Sequence, residues 1–241
     1  MKPQTIITIF FVLCLLLFAG FSHAGVWVEN FNDGDYKDWK LLIGSTAHRA
    51  EIKVVNGELV LKHFNIASGL WPDLLELEAS RDWSDYTIEL RFKFAEGAEG
   101  IGSFMQIMGV AYHDQFQGVP EGGPNCTWTC AHVSGEVHGV VSINGSMSVV
   151  AGGWHQFSRG TWYRRKIVVQ GTHYELFIDD QHVLDYDWNS GFTKGGIAVG
   201  AGNVVTHFDD IRIYGDSVPD GGALAVRAHG KLTTTWAALK K

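Results

Sequence analysis

Alternation of apolar and polar residues with a period of two recurs along the chain, and no other feature restricts its fold as strongly. In Tyr86-Thr87-Ile88-Glu89-Leu90-Arg91-Phe92-Lys93-Phe94, the apolar Ile88, Leu90, Phe92 and Phe94 interleave with Thr87, Glu89, Arg91 and Lys93. Successive side chains of a strand point to opposite faces, so this segment has one face for a core and one for water. Glu58 to Lys62 repeats the pattern with Leu59 and Leu61 inward, as do Tyr174, Leu176 and Ile178, then Val183. Ile197 and Val199, followed by Phe208, Ile211 and Ile213, complete the set. Turn signals separate the runs: Asn56-Gly57, Asn144-Gly145, Asp179-Asp180-Gln181 and Gly195-Gly196. Asn-Gly between two such runs is a strong hairpin signal. Helical periodicity is almost absent. Antiparallel strands joined by hairpins at this spacing predict an all-β fold, a two-sheet sandwich of roughly ten to thirteen strands.

The ends of the chain read differently. Lys2 precedes an apolar stretch from Ile6 to Phe18, and Ser22-His23-Ala24 offers a small-x-small cleavage site. That is the layout of a secretory signal peptide, residues 1–24, with an uncleaved membrane anchor as the rival reading. Cleavage implies a secreted or periplasmic protein with no membrane attachment. It removes one basic residue, Lys2, and no acid, so the formal charge of −7 becomes −8. An acidic surface argues against nucleic acid as a partner. One domain is expected over residues 25–215. Beyond it, Asp216 to Gly222 has linker composition, and residues 216–241 read as a flexible tail.

Cys126 and Cys130 are the two cysteines left after cleavage and flank Thr127-Trp128-Thr129. In an oxidising compartment a disulfide is the simplest expectation; a metal pair is the alternative. The pair falls in His113 to Ala131, which reads as a long connection rich in Gly and Pro. Loops of this length are commonly functional.

Phe31-Asn32-Asp33-Gly34 with Trp39, Val54-Val55-Asn56-Gly57-Glu58-Leu59, Trp83-Ser84-Asp85-Tyr86, Thr161-Trp162-Tyr163-Arg164, Phe177-Ile178-Asp179 and Phe208-Asp209-Asp210-Ile211 together resemble the concanavalin A-like jelly rolls of exported proteins. These include laminin-G-like domains, 3-keto-disaccharide-hydrolase-like domains and family 16 glucanases. The resemblance covers about residues 26 to 215. It implies first and last strands that meet, and a carbohydrate partner, a poly- or oligosaccharide. It also implies a structural Ca²⁺ at the seam, with Asp209 as the carboxylate ligand, Gly57 as the turn carbonyl and Glu29 or Asn30 as the first-strand carbonyl. Hard oxygen donors of this kind suit calcium.

The family 16 pattern of alternating catalytic acids is absent. The nearest approach is Glu76 and Glu78, two apart on an expected strand and therefore on one face. Their separation along a strand, roughly 6.5–7 Å, is permissive for glycoside hydrolysis without being diagnostic. Binding has broader support. Nine tryptophans are present, and indole rings stack on the C–H faces of sugars as readily as they fill cores. Trp128, Trp71 and Trp154 read as loop-borne and therefore as surface rings. Gln106, His132 and Arg164, with Glu76 and Glu78, are the expected hydrogen-bonding partners. His132 and His138 can also share a strand face, with His113 and Asp114 nearby, as a loose transition-metal constellation. The expected function is a lectin-like carbohydrate-binding module. The alternatives are a glycoside or 3-keto-glycoside hydrolase using Glu76 and Glu78, and a protein-binding adhesion module.

Overall fold

A computed structural model describes residues 24–42, 48–66, 72–97, 104–108, 126–143, 146–188 and 193–222. The described chain is nearly all strand, with a single short 3₁₀ turn at Glu78–Asp82. The strands are β1 (Gly25–Glu29), β2 (Trp39–Leu42), β3 (Glu51–Val55), β4 (Glu58–His63), β5 (Leu74–Leu77), β6 (Tyr86–Gly97), β7 (Phe104–Met108) and β8 (Cys126–His132). They continue as β9 (Glu136–Ile143), β10 (Ser146–Trp154), β11 (Tyr163–Gln170), β12 (His173–Ile178), β13 (Gln181–Asp187), β14 (Ile197–Gly202), β15 (Val204–Gly215) and β16 (Gly221–Gly222).

They form two sheets. One has nine strands along the path β13-β12-β11-β6-β15-β1-β16, with β4 also on β15 and β3 on β4. The other has seven, in the order β10-β9-β8-β7-β14-β5-β2. All pairings are antiparallel except β1 with β16. This is the expected two-sheet jelly roll, and its first and last long strands do meet: Gly25 lies opposite Gly215 and Glu29 opposite Ile211.

Two hairpins show why local sequence fixes register. Asn56 and Gly57 both have positive φ, 55° and 81°, as do Asp179 and Asp180, 48° and 64°. Two consecutive left-handed residues make the type I′ turn whose twist matches the flanking strands. The alternating apolar residues then meet between the sheets. Leu59, Leu61, Ile88, Leu90, Phe92 and Phe94 from one sheet are buried against residues such as Leu75, Leu77, Val199 and Ala201 from the other. Each fully buried side chain of this size contributes about 1.5–3 kcal/mol. Tyr174 stacks on its cross-strand partner Tyr186 with ring centroids 5.2 Å apart.

Residues after 215 depart from the linker expectation. Val218 is buried, the Val26 amide donates to Asp220 at 3.0 Å, and β16 pairs in parallel with β1. Packing against β1 therefore continues to Gly222, past the expected boundary at residue 215. Residues 1–23, nearly all of the expected signal peptide of residues 1–24, and residues 223–241 lie outside the described residues.

Candidate functional site

The outer face of the seven-stranded sheet carries most of the sequence-derived site. Inner and outer positions alternate along β8. Thr127, Thr129 and Ala131 point to the inter-sheet core, where the Thr127 hydroxyl donates to the Val140 carbonyl at 2.9 Å and lies 2.7 Å from the Tyr186 hydroxyl. Cys126, Trp128, Cys130 and His132 point outward. Cys126, Trp128 and Cys130 join Leu42, Leu74, Val140 and Ala198 in a second, smaller buried cluster.

This corrects two expectations. Cys126 and Cys130 form no disulfide with each other: both side chains are buried thiols. Four residues along a strand separate their Cα atoms by about 13 Å, beyond the roughly 7 Å limit for a bridge. Trp128 is not a loop ring. It is 4% exposed in the middle of a strand, so its indole fills this cluster and offers no stacking surface. The signal was in the sequence. Cys126, Trp128, Cys130 and His132 alternate with Thr127, Thr129 and Ala131, which is strand periodicity with β-branched threonines in the intervening positions.

Trp154 stands differently. It ends β10 opposite Glu136 and is 64% exposed. Its ring lies against Gly135, where a Cβ would come 2.5 Å from the indole. Gly135 has φ +113°, so both conformation and clearance require glycine there. One step along, Gly152 lies opposite His138, and a Cβ built on Gly152 would meet no atom within 4 Å. An open strip therefore runs beside the ring.

His138 is directly across from Cys130, which is in turn across from Gln106 in β7. Cys130 Sγ lies 3.6 Å from His132 Nε2, and the two imidazole rings are 5.0 Å apart. Burial pushes the Cys130 thiol up to about 11. Burial, and then the neighbouring His138, hold His132 below its ordinary value.

At the other end of the sheet Glu76 is fully buried on the same outer face, opposite Lys40 and Ala198. Arg81 grips it with both ends of a fork, Nη2 to Oε2 at 2.7 Å and Nε to Oε1 at 3.2 Å. Glu78 does not share its strand. β5 ends at Leu77, and Glu78 opens the 3₁₀ turn, largely exposed, with its carboxylate 3.7 Å from Lys40 Nζ. The paired-acid geometry of a shared strand is not formed.

Arg164 is elsewhere. It lies in β11 of the nine-stranded sheet, on the opposite side of the sandwich, and pairs with Asp180. Trp71 lies outside the described residues.

The seam where β1 and β4 both meet β15 gathers the calcium candidates. β4 pairs with Val204 to Phe208 and β1 with Ile211 to Gly215, leaving Asp209 and Asp210 at the junction. Gly57 contacts Asn32 there. Glu29 and Asn30 are buried; Glu29 Oε1 accepts the Phe31 amide at 2.8 Å and Asn30 Oδ1 the Asn32 amide at 3.2 Å. Asp209 Oδ2 accepts from Arg91 at 2.6 Å and Oδ1 from the Asp210 amide at 2.7 Å. The Asp209 carboxylate is thus occupied by Arg91. Burial pushes the carboxyls of both Glu29 and Asp209 above their usual values.

The family model of the 3-keto-alpha-glucoside-1,2-lyase-like domain matches residues 26–214, from β1 to the end of β15. The chain belongs to this family. No curated protein sequence matches the chain. Among solved structures, this 3-keto-alpha-glucoside-1,2-lyase-like domain is similar to the carbohydrate binding module CBM66 from Bacillus subtilis, at 16% identity and a TM-score of 0.54 over 73% of this chain and 94% of that one. It is also similar to the Bacillus licheniformis beta-glucanase, at 12% identity and 0.55 over 78% and 97%. The laminarinase from Rhodothermus marinus gives 16% identity and 0.55 over 80% and 97%. At these identities the likeness establishes the jelly-roll fold, and the fold hosts both binding and catalysis.

Proposed function

We propose that this 3-keto-alpha-glucoside-1,2-lyase-like domain is an exported carbohydrate-binding jelly roll that takes a poly- or oligosaccharide on the outer face of its seven-stranded sheet. Trp154 is the stacking platform, and His132 and His138 are the hydrogen-bonding partners. One observation carries the reading: a 64% exposed indole beside an open glycine strip, on the face that also bears the histidines. A sugar ring laid on that indole covers apolar surface while its hydroxyls reach neighbouring polar groups. The shared fold supports the reading, because its neighbours include one named a carbohydrate binding module and others named glucanases. Screening the purified chain and Trp154→Ala on a glycan array tests it. Binding to at least one glycan that falls about tenfold in the variant supports it, a loss of about 1.4 kcal/mol. A blank array overturns it and favours the adhesion module, which ignores free glycans.

A structural Ca²⁺ belongs to this proposal. Asp209 would supply the carboxylate, exchanging Arg91 for the ion, and Gly57 with Glu29 or Asn30 would supply carbonyl oxygens. Ca²⁺ should then raise the melting temperature and a chelator should lower it.

Family membership and one buried acid favour a second reading, catalysis on a glycoside or 3-keto-glycoside. Glu76 lies on the same face, held in one orientation by Arg81. Under this reading the chain turns over a 3-keto-glucoside and Glu76→Gln abolishes turnover while glycan binding persists. Glu78, outside the strand, contributes little.

A further inference from the structure

We infer that Cys130, His132 and His138 form a three-ligand site for a zinc ion on the outer face of the seven-stranded sheet. The inference does not depend on what else that face binds. Their convergence follows from strand geometry. Cys130 and His132 are two apart in β8 and so share a face, and His138 of β9 stands directly across from Cys130. The thiol sulfur and one ligating nitrogen of each imidazole all lie within 4.8 Å of one another.

The separations match a specific ion. With Zn–S near 2.3 Å and Zn–N near 2.0–2.1 Å, tetrahedral coordination sets sulfur and nitrogen about 3.6 Å apart. Cys130 Sγ and His132 Nε2 are 3.6 Å apart. One thiolate and two imidazoles are a soft-to-borderline donor set, which favours zinc over calcium or magnesium. As the zinc–sulfur bond forms, the Cys130 proton leaves to solvent. Both imidazoles are partly exposed, so the fourth coordination position opens to the outer face. In zinc sites with three protein ligands that position takes water or substrate. Cys126 lies on the same face four residues away, about 13 Å along the strand, and takes no part.

Cobalt(II) reports on such a site, because a tetrahedral cobalt–thiolate bond gives an intense near-ultraviolet charge-transfer band. Titrating the full chain with Co²⁺ should produce that band at one ion per chain, and Zn²⁺ should bleach it by displacement. Cys130→Ser should remove the band. His138→Ala should weaken binding by more than about 100-fold, beyond the 10–100-fold typical of losing an outer-sphere partner. Cys126→Ser should leave the titration unchanged. A native chain that shows no thiolate band at saturating Co²⁺ would overturn the inference whatever the variants do. A band that survives Cys130→Ser would do the same.

Discussion

The two outer faces of the sandwich are built on opposite principles. The nine-stranded face is a lattice of solvated charges. Arg91 pairs with Asp209 and Asp210, Lys93 and His207 with Glu58, and the Tyr214 hydroxyl donates to Glu89. Even its indole is roofed by cations: Lys93 Nζ lies 4.3 Å and the Arg91 guanidinium 4.9 Å from the ring centroid of Trp162. The seven-stranded face buries apolar and reactive groups together and, among the described residues, exposes the ring of Trp154. An aromatic already engaged by protein cations has little left to offer a ligand. A buried thiol and two half-buried imidazoles near an open strip, with a buried acid at the far end of the same face, are costly to maintain without a task. That difference is why the site is assigned to the seven-stranded side.

The sharpest way to break the comparison sets its two tryptophans against each other. Trp128→Ala should destabilise the fold by about 3–5 kcal/mol, because it empties a buried volume that its strand neighbours cannot fill. Trp154→Ala should cost under about 0.5 kcal/mol, since most of the ring already lies in water. Urea denaturation of the two variants measures both. Equal destabilisation would mean that Trp154 is a packing residue and the contrast between buried and presented rings is wrong.

The layer between the faces holds the next largest effect. Arg165 is fully buried in β11, and among the described residues none of its guanidinium nitrogens has a hydrogen-bond partner. Burial pulls its pKa down to about 10. A guanidinium without a counter-charge in a core opposes folding, and apolar replacement of buried charge is commonly neutral or stabilising by about 1–4 kcal/mol. Arg165→Met should therefore raise the melting temperature. A drop of several degrees would show that Arg165 is held by a group the structure does not display.

Legibility in the sequence differed between fold and site for a physical reason. Period-two patterning is a property of single strands, so Ile88 to Phe94 and Tyr174 to Ile178 could be read directly, and the Asn56-Gly57 turn with them. A site depends on which strands become neighbours. Cys130 and His138 are eight residues apart, and only the β8–β9 register makes them opposite each other. Arg164 and Trp154 are ten apart and end on different sheets. Two small-to-medium cysteines around Trp128 suggested a staple because cysteine spacing is a strong cue in exported proteins. The competing cue, β-branched threonines in the alternate positions, carried the correct answer. Glu78 failed for a boundary reason: the strand stops one residue before it.

The smallest expected effect tests the nine-stranded face through pH. Burial pushes the Glu58 carboxyl up, but hydrogen bonds from Lys93 and His207 outweigh it and hold the group below its ordinary value. A carboxyl depressed in the folded state stabilises above its unfolded value, near 4.3, and that stability is lost as pH falls through the lower folded value. Because the cluster is partly exposed and screened, the contribution should be under about 1 kcal/mol. Comparing the acid unfolding of the native chain with Glu58→Gln isolates it. The variant should be slightly less stable at neutral pH and converge on the native chain below pH 4 or so. A gap that persists unchanged in acid would mean that Glu58 acts through packing rather than charge, and that the nine-stranded face is less of a solvated lattice than its ion pairs suggest.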